Sequence, residues 1–367
     1  MERCGRTPLN VRQTLVVCGG TLLLAAAMTA SSQNDSGEEW VLPRTVYGHP
    51  DLQGNWANAT LTPIQRPDGF GEVLTEEQIA ALEGRRQETI EADAAPSDPD
   101  RGAPVKGGVY TGDALFDIAT GGTGGYNYFY IDAGDRVAYY NGEPRSSLLV
   151  DPPDGKFPAL TGAGKAMRAA AAEQLEGTST EFDNPESRPL GERCLLSFGN
   201  NLGPPMLPNY FYNNNYTIVQ TRNEVMIMTE MVHDFRIIRL GERQALPEHI
   251  RPWMGDSWGR WEGDTLVVET TNLPGKQINS ASYVTPGGSE QRTVTERFTR
   301  AGPHTINYEF TVDDPSFYTA PWSGEVPMSL MTDNIYEYAC HEANYSLYNV
   351  LSGARAEEAR ALESQEN

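Results

Sequence analysis

The sequence predicts a mainly β protein: an antiparallel, lipocalin-like barrel or half-open barrel with an irregular N-terminal portion and a few short helices. Two segments carry this prediction. Residues 216–240 are rich in β-branched side chains and are broken once, at Arg222 and Asn223. Residues 255–271 have the pattern of a strand, a Glu-Gly-Asp turn and a second strand. β-Branched runs separated by such turns are typical of antiparallel hairpins.

Alternation along residues 225–238 predicts a strand with both faces at least half covered. Successive side chains of a strand point to opposite faces. In one continuous strand His233 would lie on one face, and Glu230, Asp234 and Arg236 on the other, each among apolar neighbours. This pattern fits a barrel whose interior is a mixed pocket. The three charged residues either form a structural ion-pair network or bind a ligand.

The first thirty residues are predicted to be a secretory signal peptide. Arg3, Arg6 and Arg12 precede an apolar run at 14–28, and small residues follow at 25–30. The run is short for a bilayer span, which disfavours a transmembrane anchor. We therefore expect an exported protein, periplasmic or extracellular, that has no membrane contact after cleavage.

Charge limits the classes of partner. The 367-residue chain has a net charge of −22 at pH 7, and no basic stretch offsets it. Nucleic acid would be repelled by such a chain, so we expect no nucleic-acid partner. A small-molecule ligand or substrate is the expected partner, and the sequence leaves the oligomeric state open.

Two cysteines, Cys194 and Cys340, lie beyond the signal region. In an exported protein such a pair is more often a disulfide than a catalytic thiol. A bond between them would tie the segment that enters the β core to the segment that leaves it. It would also hold His341 and Glu342 beside a fixed point.

Residues 31–190 are predicted to wrap the core irregularly. Thr75, followed by Glu76, Glu77 and Gln78, has the capping-box pattern of a helix start, and this helix is expected to reach about residue 92. The run Gly-Gly-Thr-Gly-Gly lacks the Lys-Ser/Thr of a phosphate loop and predicts a flexible loop. The other elements expected here are a turn and strand at 49–56, the glycine loop at 121–125, an aromatic cluster at 126–130, a strand and turn at 145–155 and a helix at 164–175.

The β core is predicted to span residues 191–348, and a C-terminal helix and tail follow at 349–367. Just before the core strands, residues 204–215 are dense in Pro, Asn and Tyr, which suits a rim of amides and aromatic faces over a pocket. Beyond the central stretch, the expected strands are 292–300 and 305–312, which form a hairpin, then 322–328, edged by its proline, and 335–342.

Two histidines in strand-like, apolar segments are each followed by a carboxylate: His233 by Asp234, and His341 by Glu342. A neutral imidazole can act as a general base while a neighbouring acid orients it or an arginine stabilises an anion. These four residues are the catalytic candidates, although each histidine could instead be a hydrogen-bonded core residue. The ligand-binding candidates are Glu230, Arg236, Asp256, Arg260, Tyr212 and Tyr336.

Two other chemistries are disfavoured. A zinc site made from His233, His341 and a carboxylate would lack the short His-x-His or His-x-x-x-His spacing. We therefore expect no metal and no cofactor. Ser257 lies in Gly-Asp-Ser-Trp-Gly, but a hairpin follows it instead of the helix of a hydrolase elbow.

Several motifs together resemble a family of exported, functionally uncharacterised bacterial proteins. The motif GDSWGRWEGDTLVVET at 255–270 is specific, and YEYACHE at 336–342 and MVHD at 231–234 accompany it. The similarity covers most of the mature chain and implies the exported address. It brings no established activity, but it marks the His-Asp and Cys-His-Glu segments.

The leading hypothesis is a metal-independent acid/base enzyme, a lyase, isomerase or hydrolase, acting on a small organic or sugar-like molecule in a β-barrel pocket. The alternative is a non-catalytic ligand-binding barrel whose polar groups only orient the ligand. A third hypothesis, an exported structural or surface-interaction module, gains if no concave pocket is present and Glu230, Asp234 and Arg236 are fully paired within the sheet.

Overall fold

Strands supply much of the regular structure in the described part of the chain. The computed structural model describes residues 40–94, 96, 131–175, 181–197, 202–209, 212–275 and 287–365. The predicted signal peptide, glycine loop and aromatic cluster lie outside these residues. The strands are β1 (Gly54–Ala57), β2 (Tyr139–Tyr140), β3 (Glu143–Pro144), β4 (Leu149–Asp151), β5 (Asn215–Gln220), β6 (Glu224–Thr229), β7 (Phe235–Leu240), β8 (Asp256–Glu262), β9 (Thr265–Thr271), β10 (Thr293–Gly302), β11 (Thr305–Asp313) and β12 (Trp322–Leu330).

Nine of these strands close into a barrel, which confirms the predicted mainly β, barrel-like fold. Their order is β1, β5, β6, β7, β8, β9, β10, β11 and β12, and β12 pairs with β1 to complete the ring. Each pair is antiparallel except β7 with β8, which run parallel. This seam is short, because only Arg239 with Trp258 and Leu240 with Gly259 are matched across it.

The strands define two ends of the barrel, which we call the lower and the upper end. Tight turns at 221–223, 263–264 and 303–304 lie at the lower end, and the turn at 230–234 lies at the upper end. Parallel pairing of β7 with β8 requires a crossover. Residues 241–255 form this crossover on the outer face of β8 and β9, where Leu246 N donates to Asp256 Oδ2 at 2.9 Å.

Three helices occur in the described residues: α1 (Glu76–Ala94), α2 (Gly162–Leu175) and α3 (Tyr345–Gln365). The predicted capping box is present, because Gln78 N donates to Thr75 Oγ1 at 3.2 Å and Thr75 N donates to Gln78 Oε1 at 2.9 Å. These bonds satisfy backbone donors near the helix start, which favours helix from Glu76 onward. None of the helices in this part of the chain is long and apolar enough to cross a membrane.

Residues 225–238 form two strands, so the prediction of one continuous strand is wrong. β6 ends at Thr229, β7 begins at Phe235, and Met231–His233 make a turn of 3₁₀ helix between them. The two strands fold back on each other, and Ile227 is paired with Arg236. These two side chains therefore point to the same face, the barrel interior, whereas alternation in a single strand would place them on opposite faces.

The prediction of a strand at 335–342 is also wrong. These residues follow an irregular path after the barrel. Tyr336 N donates to Glu230 Oε1 at 3.3 Å, and Cys340 is bonded to Cys194, so the segment is fixed by loops and not by a strand ladder.

Aromatic and aliphatic side chains fill most of the described interior positions of the barrel. Trp56, Tyr216, Phe298 and Tyr308 are all fully buried and belong to one hydrophobic cluster. Segments of chain cover both ends of this core. At the lower end Leu52 N donates to Gln220 Oε1 at 2.6 Å, and at the upper end residues 202–209 include the fully buried Met206 and Leu207.

The predicted disulfide between Cys194 and Cys340 is present, with a Cα–Cα distance of 5.8 Å and a sequence separation of 146 residues. Both cysteines lie outside the strands, in the loop before β5 and the segment after β12. The bond therefore links the two stretches of chain that enter and leave the central strands.

Replacing Cys194 and Cys340 together by serine is expected to lower the free energy of unfolding by about 2–5 kcal/mol, because the bond restricts a long loop in the unfolded chain. Urea denaturation of the oxidised protein and the double variant measures the difference. A variant as stable as the oxidised protein would show that the disulfide contributes nothing to the fold.

Candidate functional site

A buried ion pair crosses the barrel interior. Arg236 donates from both Nη atoms to Glu296, and the Nη2–Oε1 distance is 2.9 Å. The pair is joined by Tyr308, whose hydroxyl donates to Glu296 Oε1 at 2.9 Å and accepts from Met206 N at 2.9 Å. Arg236 Nη1 also lies 3.5 Å from Thr270 Oγ1. Tyr308 thus holds Glu296 Oε1, and Thr270 lies beside Arg236 Nη1.

These contacts favour the structural interpretation of Arg236. Burial alone would lower the pKa of Arg236, but the charge and hydrogen bonds of Glu296 outweigh it and the pKa is raised. Burial also raises the pKa of Tyr308 well above its ordinary value. Arg236 therefore stays charged and Tyr308 stays a neutral hydrogen-bond donor across the physiological pH range.

Glu296 was not among the sequence-predicted site residues, although a signal for it exists. It lies on β10 between Val294 and Phe298, on the face that alternation marks as apolar. A single carboxylate on an otherwise apolar strand face must be paired to be buried. Nothing in the sequence shows that its partner is Arg236, sixty residues away.

Asp256 and Arg260, both predicted to bind ligand, lie on β8 and contact neighbouring charged residues. Asp256 is buried on the outer face, where it accepts from Arg239, and Arg239 also lies over the Trp258 ring at 4.6 Å. Arg260 is exposed near the lower end and donates to Glu262 Oε1 at 2.7 Å. Asp256 therefore helps to hold the β7–β8 seam, and Arg260 belongs to a surface pair.

The turn at 230–234 brings three candidate residues together at the upper end: Glu230, His233 and Asp234. Its backbone is strained at Val232, which has φ 66° and ψ 6°. A β-branched residue rarely adopts this left-handed conformation, and such strain typically costs about 1–3 kcal/mol. Strain of this kind often occurs where function demands a particular local geometry.

Glu230 is the buried carboxylate of this turn. It accepts from Asn215 Nδ2 at 2.7 Å through Oε2 and from the Tyr336 backbone at 3.3 Å through Oε1. Among the described contacts each oxygen receives one hydrogen bond, while a carboxylate has about four lone-pair sites. Glu230 can therefore accept another hydrogen bond, for instance from a hydroxyl group.

Asp234 closes the same turn. Its Oδ1 accepts from Phe235 N at 2.8 Å, and its backbone carbonyl accepts from Thr229 N at 2.9 Å. Each carboxylate of the turn thus accepts from the backbone of an exposed aromatic residue: Phe235 is 56% exposed and Tyr336 is 85% exposed.

Asp132 lies near this turn, and the sequence prediction missed it. The residue is exposed, but many protein atoms surround its carboxylate. The resulting loss of hydration and the negative charges of Asp135 and Glu230 raise the pKa of Asp132. A hydrogen bond from Gly134 and the charge of Arg86 oppose the rise. The neighbours of Asp132 in the chain, Ile131 and Ala133, pack against Tyr212. Tyr212, one of the predicted ligand-binding residues, therefore also lies at the upper end.

His341 and Glu342 are exposed residues in the segment that follows the disulfide. Asn344 of this segment donates to Glu192 O at 3.0 Å, and Tyr336 contacts Glu230 as described. The structure therefore brings Glu230, Asp234 and Tyr336 together around one turn. It places His341 and Glu342 in a separate, solvent-facing stretch of the same segment.

A second polar cluster lies on the outer wall of the barrel, and the sequence prediction did not include it. Glu309 and Glu325 are directly opposite on β11 and β12, with Tyr140 donating to Glu309 and Arg145 Nε donating to Glu325 at 2.9 Å. Arg145 also donates to Glu143 at 3.0 Å. These bonds attach the β2–β3 hairpin to the barrel, which is a structural role.

Within the described residues, no group of three or more His, Cys, Asp or Glu side chains is placed to hold a metal ion. Comparison of the chain with protein-family models found no match. Comparison with curated proteins and with solved structures found no significant similarity.

Breaking the interior pair should be costly. Arg236→Met leaves the Glu296 carboxylate buried without its partner, and we expect a loss of about 3–5 kcal/mol in the free energy of unfolding. Arg236→Met combined with Glu296→Leu should cost clearly less, because no unpaired charge remains. Urea denaturation measures both.

Arg260→Ala is the matched control, because it removes an exposed arginine from a surface pair and should cost at most about 1 kcal/mol. Equal losses for Arg236→Met and Arg260→Ala would contradict the description of the interior pair.

Asp132→Asn should raise the melting temperature at pH 7, because it removes a carboxylate whose raised pKa makes its charged form unfavourable in the folded state. Below the unfolded-state pKa both states carry the protonated group, so the difference should shrink as the pH falls towards 4. Melting curves at several pH values test this. A melting temperature that is lower than that of the wild type at pH 7 would contradict it.

Proposed function

We propose that this protein is an exported acid/base enzyme, a lyase, isomerase or hydrolase, and that its site is the turn at 230–234 at the upper end of the barrel. The observation that carries the proposal is the strained backbone at Val232, in a turn that contains Glu230, His233 and Asp234. Strain in a buried β-branched residue costs free energy that a simple connecting turn would avoid.

The chemistry available at this turn supports proton transfer. Glu230 is buried, is oriented by Asn215 and Tyr336, and keeps acceptor capacity for a substrate hydroxyl or an acidic C–H group. Asp132, with its raised pKa, can remain a carboxylic acid at a higher pH than an ordinary aspartate. A base and an acid near one another are what acid/base catalysis requires.

The substrate we propose is a small organic or sugar-like molecule. Its polar groups would meet the carboxylates of the turn and the amide of Asn215, whose Oδ1 has no hydrogen-bond partner in the described part of the chain. Carboxylates and amides both form hydrogen bonds with hydroxyl groups. The aromatic and aliphatic filling of the barrel supports a site at the upper end over one in the middle of the interior.

The exported address is part of the proposal. The Cys194–Cys340 disulfide supports it, because such bonds form and persist in oxidising compartments. The N-terminal charge and apolar pattern of the sequence supports it independently.

A second candidate, a non-catalytic ligand-binding barrel, is favoured by two buried polar atoms near Tyr216. Thr229 Oγ1 and Asn58 Oδ1 have no hydrogen-bond partner in the described part of the chain. Thr229 is paired with Tyr216 across β5 and β6, and Asn58 Nδ2 donates to the Tyr216 hydroxyl at 3.2 Å. Unsatisfied buried acceptors of this kind are costly unless a small polar molecule or water binds them.

A thermal-shift screen against metabolites, glycan fragments and divalent metals separates the two candidates. A ligand at one hundred times its Kd should add about 2.7 kcal/mol of stability. For the enzyme, a stabilising compound is consumed over time, and Glu230→Gln, His233→Ala and Asp234→Asn each lower kcat by about a hundredfold or more.

His341→Ala tests the other predicted histidine in the same assay, and His304→Ala, from the tight turn at the lower end, is the control that should leave kcat unchanged. Losses of tenfold or less in all three turn variants would reject the proposed site. A stabilising compound recovered unchanged, with binding lost in Thr229→Val, would support the binding barrel instead.

A further inference from the structure

An apolar strip lies on the outer face of β5, β6 and β7, and nothing in the proposed chemistry uses it. Strand pairing places Val219, Met226 and Ile237 in one row. Met228 and Phe235 form the next row, nearer the upper end. Val219, Phe235 and Ile237 are exposed, and the two methionines are partly exposed. The five side chains carry no charge, although the chain as a whole has a net charge of −22.

Two segments of chain border this strip and make it a trough. On one side Met331 N donates to Asn55 O at 2.8 Å and Asn55 Nδ2 donates to Asp333 O at 3.1 Å, so residues 331–333 lie against β1. On the other side the crossover at 241–255 covers β8 through Leu246 and Asp256. Three strands at about 4.8 Å spacing separate the borders, which gives a floor roughly 10 Å wide.

The trough leads directly to the proposed site. Phe235 belongs to its floor and also donates its backbone N–H to Asp234. Tyr336, at the end of one border, donates to Glu230. The upper end of the apolar floor therefore adjoins the turn that carries the two carboxylates.

We propose that this trough, lined by Val219, Met226, Met228, Phe235 and Ile237, binds the apolar part of the substrate while its polar part reaches the turn at 230–234. The substrate class is then an amphiphile: an alkyl or aryl group attached to a hydroxylated head. The inference rests on the proposed function for the direction of binding, since the head must meet the carboxylates.

Side-chain chemistry agrees with this occupant. Methionine is unbranched and polarisable and adapts to apolar groups of different shape. Contiguous exposed apolar side chains on a soluble protein usually mark a binding surface. The floor is short, so it suits a small apolar group better than a subunit interface, which needs about 800 Å² from each partner.

The probes are n-alkyl β-D-glucosides from butyl to octyl, titrated calorimetrically below their micelle concentrations. Because the open floor covers only one side of the probe's alkyl group, Kd should fall about twofold per added methylene, less than the fourfold expected for complete burial. Met226→Lys and Ile237→Lys should abolish this dependence on chain length. Met226→Gln and Ile237→Thr serve if the lysine variants do not fold, as judged by circular dichroism.

Val46→Lys is the matched control, because Val46 is 93% exposed and lies outside the trough; it should keep the dependence on chain length. Glu230→Gln should also keep the dependence on chain length.

Equal Kd values along the wild-type series, or a dependence that the trough variants preserve, would overturn the proposal. The proposal would also be overturned if light scattering showed that the wild-type protein is a dimer and that the lysine variants are monomers. A Glu230→Gln variant that keeps both turnover and chain-length dependence would reject the proposed catalytic site but leave the trough.

Discussion

The contact between Arg236 and Glu296 spans one of the two short seams of the barrel, that of β7 with β8; the other is that of β12 with β1. β7 and β8 are matched at only two positions, so the ladder at this seam is short. Arg236 starts from β7, reaches past the seam to Glu296 on β10 and approaches Thr270 on β9. Outside the wall, Arg239 makes a second link to Asp256. A buried pair is not inherently stabilising compared with apolar packing, but once present it fixes which strands must lie near each other.

The position of the turn at 230–234 follows from this constraint. Arg236 must point inward to reach Glu296, and it is paired with Ile227, which also points inward. The chain has only five residues between Thr229 and Phe235 in which to reverse direction, and Val232 adopts a left-handed backbone there. The strain at the proposed site and the closure of the barrel are thus connected through the same short hairpin. The proposed site and the apolar trough, which begins at Phe235, both adjoin this hairpin.

Local signals made several elements predictable from sequence. Thr75 and Gln78 start a helix by bonds within one turn, Gly263 and Asp264 join a hairpin, and Cys194 and Cys340 form the disulfide. The break at 230–234 escaped prediction because it contains neither Gly nor Pro and places a β-branched residue where such residues are rare. Non-local contacts were equally inaccessible: the Arg236–Glu296 pair spans sixty residues, and Tyr336 meets Glu230 from a segment whose alternation resembles a strand.

The most direct test of the central claim, that the upper-end turn is the functional site, is hydrogen–deuterium exchange with and without a stabilising compound from the ligand screen. We expect protection to increase at residues 229–236 and around Tyr336, where the ligand would contact the turn, while the lower-end turns at 221–223 and 303–304 are unchanged. Protection confined to the lower end, or to the β2–β3 hairpin at 139–144, would contradict it.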